Sequence, residues 1–377
     1  MNNRKVICLV INSLGGGGAE RVFARLANML QNEELEYKII VITLDEEPIV
    51  NSLSKDIEHI KLGYNGSLLK SMLGLRKVLT RLSPSLVVSF LTRSNVAAVF
   101  ASFGQSYRVV ISERVNTSSH FGYGFTSKVK KSFTRFFYEK ADFIVAVSEG
   151  VKKDLGDFFK LKHKKIDVIC NSYNYEELLV KSQEYSIEFE AGSYIVCVGR
   201  FYENKNHALL LKALAEANLP KTLVLLGDGP KRNELEKLVI QLKLQNKVIF
   251  KGFVSNPYPY IKNSAGLIST SLAEGFPNVI AEALVLGKFV VSSDCQSGPA
   301  ELLDSRVSEG VKQLQEAKYG ILLPVNNQGA TAEGIEMFNN IALIEHYETQ
   351  VAELKLKYSH ENFLSGFSKI IKEGTNE

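Results

Sequence analysis

Residues 274–284 have the sequence Glu-Gly-Phe-Pro-Asn-Val-Ile-Ala-Glu-Ala-Leu, which places two carboxylates eight positions apart across a turn that opens into a helix. A helix that begins near Asn278 directs its first backbone N–H groups into solvent beside Glu274, and such groups bind anions. A diphosphate fits there, Glu282 can accept hydrogen bonds from a ribose diol, and Glu274 can hold the hydroxyls of a sugar. The simpler alternative is an amphipathic helix with two solvated acids, but the Gly-Phe-Pro-Asn turn is too particular for an ordinary helix start.

The length and composition predict a soluble protein of two domains. The chain has 377 residues, and an ordinary domain takes roughly 100–200 residues. Hydrophobic residues make up 45% and charged residues 23%, as in globular proteins. The net charge of +4, from 45 basic and 41 acidic residues, is too small to indicate nucleic-acid binding, so the local clustering of charge matters more than the total.

The cysteines and the apolar runs predict a cytoplasmic protein. The four cysteines (Cys8, Cys170, Cys197 and Cys295) form no close pairs and the first three lie in apolar, strand-like runs, which predicts reduced core residues. The first residues lead directly into a short apolar strand instead of a signal peptide. No run reaches the roughly 18 apolar residues of a membrane-spanning helix.

Short apolar runs rich in β-branched residues alternate with helical patterns along the chain, which predicts βαβ units and parallel sheets covered on both faces. In the first half, the predicted strands are 5–11, 38–44, 57–62, 86–90, 108–112, 143–147 and 166–170. In the second half, they are 194–198, 222–226, 247–251, 266–270 and 289–292. The sequence therefore predicts an α/β fold with two Rossmann-like, doubly wound domains.

The boundary between the domains is predicted in the polar stretch 171–193, so the first domain spans 1–175 and the second 190–359. Ligands of such sheets bind outside the carboxyl ends of the strands. We therefore expect the functional residues in the loops that follow the strands, around a cleft between the domains.

A glycine-rich loop, residues 15–21 (Gly-Gly-Gly-Gly-Ala-Glu-Arg), follows the first predicted strand and opens the first helix. Gly15 and Gly16 let the backbone approach a ligand closely, although a tight strand-to-helix turn explains them equally well. The dinucleotide fingerprint requires a third glycine where this loop has Ala19 or Glu20. Asp45, after the second strand, could serve as its ribose-binding acid, so an NAD-dependent oxidoreductase stays open as a disfavoured alternative.

Two cations follow the first strand of the second domain. Arg200 can bind a phosphate with its planar fork and Lys205 can add a point charge, so both can neutralise a departing diphosphate. Solvated surface charges are the alternative. The nearby Gly-Asp-Gly-Pro stretch, 227–230, predicts a turn of architectural role, with Asp228 as the cap of the following helix.

Polar residues also follow the fifth strand of the first domain. Glu113, Arg114, Asn116 and the nearby His120 are candidates for acceptor binding or proton handling, although a single loop histidine is more often a surface residue.

A basic, aromatic helix is predicted over 127–140 and could dock on anionic lipid. Its cations are Lys128, Lys130, Lys131, Arg135 and Lys140, and they alternate with Phe133, Phe136, Phe137 and Tyr138. The alternative is that the aromatic rings face the core and the lysines are ordinary solvated charges. No nucleic-acid recognition motif accompanies the helix.

Metal and serine-nucleophile chemistry lack their usual signals. The sequence contains no clustered His, Cys or Asp at metal-ligand spacing and no Gly-x-Ser-x-Gly turn. We therefore expect no metal and no cofactor, with cations of the protein facing the diphosphate in place of a metal.

Taken together, these motifs resemble the family 4 retaining glycosyltransferases in order and spacing along nearly the whole chain. They are residues 15–21, 112–116, 199–205, 227–230, 274–282 and 297–301. The resemblance implies the GT-B fold, in which two Rossmann-like domains face each other, with transfer that retains configuration and needs no metal. It also implies that the C-terminal stretch 360–377 packs on the first domain.

The resemblance assigns roles to particular residues. Arg200 and Lys205 would hold the diphosphate, Glu282 the ribose and Glu274 the donor sugar. The donor site would also include Phe276, Pro277, Asn278 and Val279, and Gly15 and Gly16 would let the first domain close on the donor. Many members carry a histidine where this chain has Arg114, which cannot act as a base at neutral pH. The implied mechanism is a front-face transfer in which the donor phosphate removes the acceptor proton.

Within the family, the Gly-Gly-Ala-Glu-Arg and Ser-Glu-Arg-x-Asn elements look similar to bacterial enzymes that extend O-antigen or surface polysaccharide on a polyprenyl diphosphate. That implies a UDP-hexose or UDP-N-acetylhexosamine donor, with GDP-mannose next, and peripheral association with the inner face of the cytoplasmic membrane. The competing hypotheses are a sugar-nucleotide 2-epimerase of the same fold, which needs no acceptor, and a binding module without catalysis, which would be expected to lose some of the cleft charges.

Overall fold

The computed structural model describes residues 5–33, 37–118, 121, 124–350 and 352–375. The chain forms two compact units. One comprises Met1–Ser172 together with His360–Glu377, and the other comprises Tyr173–Ser359.

The first unit is a sheet with helices on both faces. Its strands are β1 (Lys5–Ile11), β2 (Tyr37–Thr43), β3 (Glu58–Lys61), β4 (Leu86–Phe90), β5 (Arg108–Glu113), β6 (Phe143–Ala146) and β7 (Ile166–Val168). Its helices are α1 (Gly18–Asn32), α2 (Leu68–Leu82), α3 (Thr92–Ser102), α4 (Phe125–Lys140), α5 (Glu149–Phe158) and α15 (His360–Thr375). The strands pair in the order β3-β2-β1-β4-β5-β6-β7, all parallel.

Burial explains the parallel arrangement. The last five residues of β1 and all of β4 are buried, and a continuous apolar run suits a strand that is covered on both faces. Helix α15 completes the cover, because its Phe367 stacks on Phe90 of β4 with ring centroids 5.9 Å apart. Phe90 in turn meets Phe23 of α1 edge to face at 5.3 Å. The C-terminal helix therefore belongs to the core of the first unit.

The second unit repeats the plan. Its strands are β8 (Tyr194–Val198), β9 (Thr222–Leu226), β10 (Val248–Gly252), β11 (Leu267–Ser269), β12 (Val290–Ser293), β13 (Gln315–Ala317) and β14 (Gly320–Leu323). Its helices are α6 (Tyr175–Lys181), α7 (His207–Glu216), α8 (Arg232–Gln241), α9 (Tyr258–Asn263), α10 (Asn278–Val285), α11 (Pro299–Leu303), α12 (Gln328–Glu336), α13 (Ile341–Glu348) and α14 (Ala352–Lys357). The sheet order is β10-β9-β8-β11-β12-β14-β13, and only the pairing of β13 with β14 is antiparallel within this sheet as described.

Each sheet has one position where the direction of strand addition reverses. This switch lies between β1 and β4 in the first unit and between β8 and β11 in the second. Loops that leave neighbouring strands in opposite directions open a crevice at such a point, which is where ligands of doubly wound sheets bind.

The predicted fold class is confirmed, since both units are parallel-sheet α/β structures. Several strands have the predicted bounds, among them β1, β4, β8 and β9. Two features were missed. The predicted linker 171–193 contains helix α6, and the hairpin of β13 and β14 was not predicted. Each of its strands has only three or four residues, too few for a period to stand out.

Candidate functional site

The switch point of the second unit brings together two charged residues from distant motifs. Lys205 lies in a short 3-10 turn, Glu203–Lys205, after β8, and Glu274 follows β11. The Lys205 ammonium forms an ion pair with Glu274 Oε1. The same oxygen accepts a hydrogen bond of 2.7 Å from the Ser271 hydroxyl. The side chains are 24% and 11% exposed, so the pair is accessible at the surface of a partly desolvated site.

Arg200, the second predicted diphosphate ligand, is exposed at the end of β8. Its guanidinium carbon lies 5.3 Å from the centroid of the Tyr202 ring. Among the described residues, Arg200 has no carboxylate partner within ion-pair distance. Its positive charge is therefore available to a ligand.

The turn after β9 packs against the loop that carries Arg200. Phe201 N–H donates to the carbonyl of Asp228 at 2.9 Å, and a Cβ on Gly227 would lie 2.0 Å from the Gly199 carbonyl oxygen. The predicted architectural role of this turn is confirmed, since only glycine permits the approach. The predicted helix cap is wrong, because Asp228 instead accepts from Gly229 N–H at 2.7 Å and pairs with Arg232 at 3.2 Å.

Helix α10 begins at Asn278, as predicted. Pro277 precedes it and provides no side chain that could cap the helix. Phe276 is buried against the Tyr358 ring at 5.7 Å, and Asn278 Oδ1 accepts from the Tyr173 hydroxyl at 2.5 Å. Val279 follows in the first turn of the helix. The turn between the two glutamates is therefore held on both sides by aromatic residues.

Glu282 lies in the same helix and is buried. Its Oε1 accepts a long hydrogen bond of 3.4 Å from the Tyr258 hydroxyl of α9. The two glutamates thus differ: Glu274 is partly exposed in an ion pair, and Glu282 is set deeper beside a tyrosine.

The motif at 297–301 also reaches this turn. Gly298 has φ +93°, and a Cβ there would lie 2.3 Å from Pro277 Cδ. Its N–H donates to Glu301 at 3.3 Å. Three motifs that are separate in the sequence therefore pack together at the carboxyl end of the second sheet.

In the first unit, the glycine loop lies between β1 and α1 at the corresponding switch point. Gly15 is packed, because its carbonyl accepts from Asn51 and a Cβ there would lie 2.9 Å from a Glu47 carboxylate oxygen. Around Gly16, a Cβ would meet nothing within 4 Å. Gly16 therefore has open space beside it where Gly15 does not.

Asp45, the acid of the NAD alternative, is committed to groups of the protein. It forms an ion pair with Arg93 and accepts from Gly66 N–H at 2.9 Å. The oxidoreductase hypothesis also leaves Arg200, Lys205 and the glutamate pair without a role.

Glu113 is 0% exposed at the end of β5. Its carboxylate accepts hydrogen bonds from Arg114 N–H at 3.2 Å, from the Thr92 hydroxyl at 3.1 Å and from the Tyr138 hydroxyl. Burial raises the pKa of Glu113 to about 7, and these donors act in the opposite direction. Thr92 and Tyr138 were not predicted as partners of Glu113, because only the fold brings α3 and α4 to this carboxylate.

Arg114 and Asn116 are also buried. The Arg114 guanidinium donates to the Ile169 carbonyl at 3.2 Å and to Asn171 Oδ1 at 2.8 Å, and it lies 4.6 Å from the Phe90 ring centroid. Asn116 Oδ1 accepts from the Ser118 hydroxyl at 3.0 Å. The acceptor role of these residues stays a prediction, and His120 lies outside the described residues.

Helix α4 presents two different faces. Phe137 and Tyr138 are buried, as expected if the aromatic rings face the core. A stripe of apolar side chains at helical spacing is nevertheless exposed, with Phe125 at 81%: Phe125, Val129, Phe133 and Phe136.

The predicted cations of α4 fall into two groups. Lys128, Lys130 and Lys140 are exposed. Lys131 instead lies over the Phe158 ring at 4.1 Å, and Arg135 pairs with Glu139 at 2.7 Å. The solvent-facing side of α4 thus combines exposed phenylalanines with exposed lysines.

The described residues contain neither a cluster of metal-ligating side chains nor a membrane-spanning helix. No group of three or more His, Cys, Asp or Glu side chains in that part of the chain could hold a metal ion. No described helix is long and apolar enough to cross a membrane.

Two protein-family models match this chain, one on each unit. The model described as Glycosyltransferase Family 4 matches residues 16–177, and the model described as Glycosyl transferases group 1 matches residues 192–338. The two matches include the loops that carry Lys205 and Glu274 and the loop that follows β4.

Curated relatives cover most of the chain. An N-acetylgalactosamine-N,N'-diacetylbacillosaminyl-diphospho-undecaprenol 4-alpha-N-acetylgalactosaminyltransferase of Campylobacter jejuni is 31% identical over 343 residues, which are 87% of this chain and 88% of the relative. A second Campylobacter jejuni protein, an alpha-1,4-N-acetyl-D-galactosaminyltransferase acting on a GalNAc-containing, diphospho-undecaprenol-linked saccharide, is 26% identical over 98% of this chain and 99% of its own length.

Solved structures share the fold at lower identity. Anabaena HepE, in complex with UDP and glucose, has a TM-score of 0.75 and 19% identity over 98% of this chain and 100% of its own. Sucrose-phosphate synthase from Thermosynechococcus elongatus has a TM-score of 0.80 and 17% identity over 98% and 99% of the two chains.

Proposed function

This chain belongs to the family 4 glycosyltransferases, and we propose that it transfers a hexose or N-acetylhexosamine from a UDP-sugar to a saccharide linked to a polyprenyl diphosphate. The observation that carries the proposal is the Lys205–Glu274 ion pair at the switch point of the second unit. It joins a cation suited to a diphosphate and a carboxylate suited to sugar hydroxyls at one crevice.

The donor is assigned from the chemistry of the second unit. The exposed Arg200 and the partly exposed Lys205 supply two positive charges for a diphosphate. The N-terminus of α10 adds backbone N–H groups and the positive end of a helix dipole. Glu282 lies further inside, where it would accept hydrogen bonds from ribose hydroxyls, and Glu274 would hold the sugar.

We propose that transfer retains the anomeric configuration through a front-face reaction. The bond between the anomeric carbon and the diphosphate oxygen breaks, and the acceptor oxygen forms its bond to the same face. The acceptor proton passes to the departing phosphate oxygen, so no nucleophile of the protein is needed. Arg200 and Lys205 stabilise the negative charge that develops on the nucleoside diphosphate, and these preorganised charges take the place of a metal.

The acceptor is assigned from the relatives and from the first unit. Both Campylobacter jejuni relatives are named for undecaprenol-diphosphate-linked acceptors. An acceptor with a polyprenyl chain resides in a membrane. The exposed phenylalanines and lysines of α4 would let the protein rest on the inner, anionic leaflet, because buried apolar area and cation attraction add together at such a surface.

The test is product analysis with the purified protein. UDP-glucose, UDP-galactose and their N-acetylated counterparts are supplied with undecaprenyl-diphosphate saccharides, and the lipid-linked product is identified by mass and by the anomeric configuration of the new bond. A parallel reaction with donor alone tests for a 2-epimerase. A new nucleotide sugar without acceptor, and no extended lipid with it, would refute the transferase assignment. An inverted linkage would refute only the retaining mechanism, and full activity in a chelator supports independence from metal.

A further inference from the structure

The proposed transfer leaves one buried carboxyl group of the first unit without a role. Glu113 is wholly buried, so it cannot touch a dissolved substrate. Its Oε1 accepts the backbone N–H of Arg114, and its Oε2 accepts the hydroxyls of Thr92 and Tyr138. Burying a carboxylate is costly unless donors of the protein replace its water. Four donors are present here: the backbone N–H groups of Arg114 and Val115 and the hydroxyls of Thr92 and Tyr138.

A second layer of hydrogen bonds orients the first. Asn95 Nδ2 donates to the Tyr138 hydroxyl oxygen at 3.2 Å and to the Ser112 carbonyl at 3.2 Å, and its Oδ1 accepts from the Ser89 hydroxyl at 2.8 Å. Because the Tyr138 oxygen already accepts from Asn95, its own proton is directed at Glu113. The network therefore connects the ends of β4 and β5 with α3 and α4, and all of its side chains except the partly buried Thr92 are buried.

The chain is strained next to this network. Leu91, between β4 and Thr92, has φ +74° and ψ 146°, a conformation that residues other than glycine rarely adopt. Such backbone costs on the order of 1–3 kcal/mol and persists where the surroundings enforce it, commonly at functional sites. Leu91 N–H donates to the Ser112 carbonyl at 3.1 Å. The strained residue lies in the loop after β4, one of the two strands at the switch point of the first unit, and it places the Thr92 hydroxyl beside Glu113 at the end of β5.

We propose that Glu113 and Tyr138 are positioning residues for the acceptor saccharide: the ionised carboxylate holds the Arg114 backbone and so fixes the segment 114–118. This inference rests on the proposed function and on the acceptor role that the sequence predicts for Arg114 and Asn116 in that segment. It differs from direct acceptor binding by Glu113, because the carboxylate acts through the backbone that follows it.

The carboxylate holds the segment only while it is ionised, since all four of its partners donate. Burial raises the pKa of Glu113 to about 7, so the group changes its charge near neutral pH. The titratable groups next to it are Tyr138 from α4 and Arg114 from its own segment, whose guanidinium is turned to Ile169 and Asn171. Helix α3 presents the uncharged Thr92, and β6 pairs with Glu113 through Ala146. A proton on the carboxyl therefore displaces one of its donors.

The experiment measures kcat, acceptor KM and donor KM between about pH 6 and about pH 8.5, a range that spans the titration. In the wild type, the acceptor KM is expected to rise roughly tenfold on acidification, the effect of one weakened hydrogen bond to a charged group. Glu113→Gln, which resembles the protonated form, is expected to show the high acceptor KM at every pH. Tyr138→Phe removes a donor to the carboxylate, so its transition is expected at higher pH. The donor KM stays unchanged in both variants.

Two results would overturn the inference. One is a Glu113→Gln variant with the wild-type pH profile, and the other is an equal change in donor and acceptor KM, which would indicate a structural role only. Infrared titration follows the protonation of Glu113 without any turnover. A band of a protonated carboxyl group that appears near neutral pH in the wild type must be missing from Glu113→Gln. An unchanged band in the variant would contradict the titration of Glu113 in this range. A wild type that transfers no sugar at any pH would refute the proposed function, and this inference with it.

Discussion

Replacing Lys205 with alanine separates catalysis from stability at the donor site. Lys205 and Glu274 are partly exposed, and ion pairs of this kind contribute up to about 1 kcal/mol to folding. A shift of a few degrees in Tm, roughly 2–4 °C per kcal/mol for a unit of this size, is therefore expected. If Lys205 also stabilises the departing diphosphate, removing one such preorganised charge lowers kcat by about 10²–10³, or about 3–4 kcal/mol of transition-state stabilisation.

The assay is initial-rate kinetics beside thermal unfolding, with Lys288→Ala as the matched control. Lys288 forms an ion pair with Glu348 in the same unit, with side chains 12% and 31% exposed. It precedes β12 and so lies at the amino ends of the strands, whereas the loops of the donor site leave their carboxyl ends. The control is expected to lose similar stability and to keep its kcat. A Lys205→Ala enzyme within threefold of the wild-type kcat would refute the assigned role of the cation.

Three further predictions concern other parts of the molecule. UDP at about 100 times its dissociation constant should stabilise the protein by roughly 2.7 kcal/mol, and Glu282→Ala should abolish that shift, whereas a shift with NAD alone would contradict the donor assignment. The double variant Phe125→Ser, Phe136→Ser should lose most of its binding to phosphatidylglycerol vesicles in a flotation assay, because each exposed ring that enters lipid adds on the order of 1–2 kcal/mol to the binding free energy. Ile341→Ser, at an exposed position in the second unit, is the control. Equal losses of binding in the two variants would argue against docking through α4. Burial, with Lys205 nearby, lowers the pKa of His207 from 6.5 to about 4. The unfolded chain therefore takes up this proton at a higher pH than the folded chain, and the free energy of unfolding should fall as pH drops below about 6.5, by about 2 kcal/mol at pH 5. His207→Leu should remove that part of the pH dependence, and identical stability curves for the wild type and the variant would contradict the buried, neutral state.

Much of the fold could be predicted from the sequence, because apolar runs such as 5–11 and 194–198 are long enough to show a buried parallel strand. The meeting of Lys205 and Glu274 could also be predicted, since both lie in loops that follow parallel strands of one sheet, whose carboxyl ends lie on the same side. Asp228 shows where local reasoning fails. A residue before a helix suggests a cap, but the tight approach of Gly227 to Gly199 fixes the turn first, and the side chain of Asp228 then reaches its neighbours Gly229 and Arg232 instead.

The two switch points differ in a way that explains why the donor is easier to infer than the acceptor. At the second, charged side chains that suit a diphosphate lie at the surface, so residue type alone indicates the ligand. Near the first, at the end of the neighbouring strand β5, Glu113 and Arg114 are turned into the interior, where they bind the backbone and side chains of their own unit. Their effect on a ligand would pass through the shape of the segment that they hold. Thr92 and Tyr138, whose sequence context gives no hint of a site, would then influence acceptor binding only through the carboxylate that they hold.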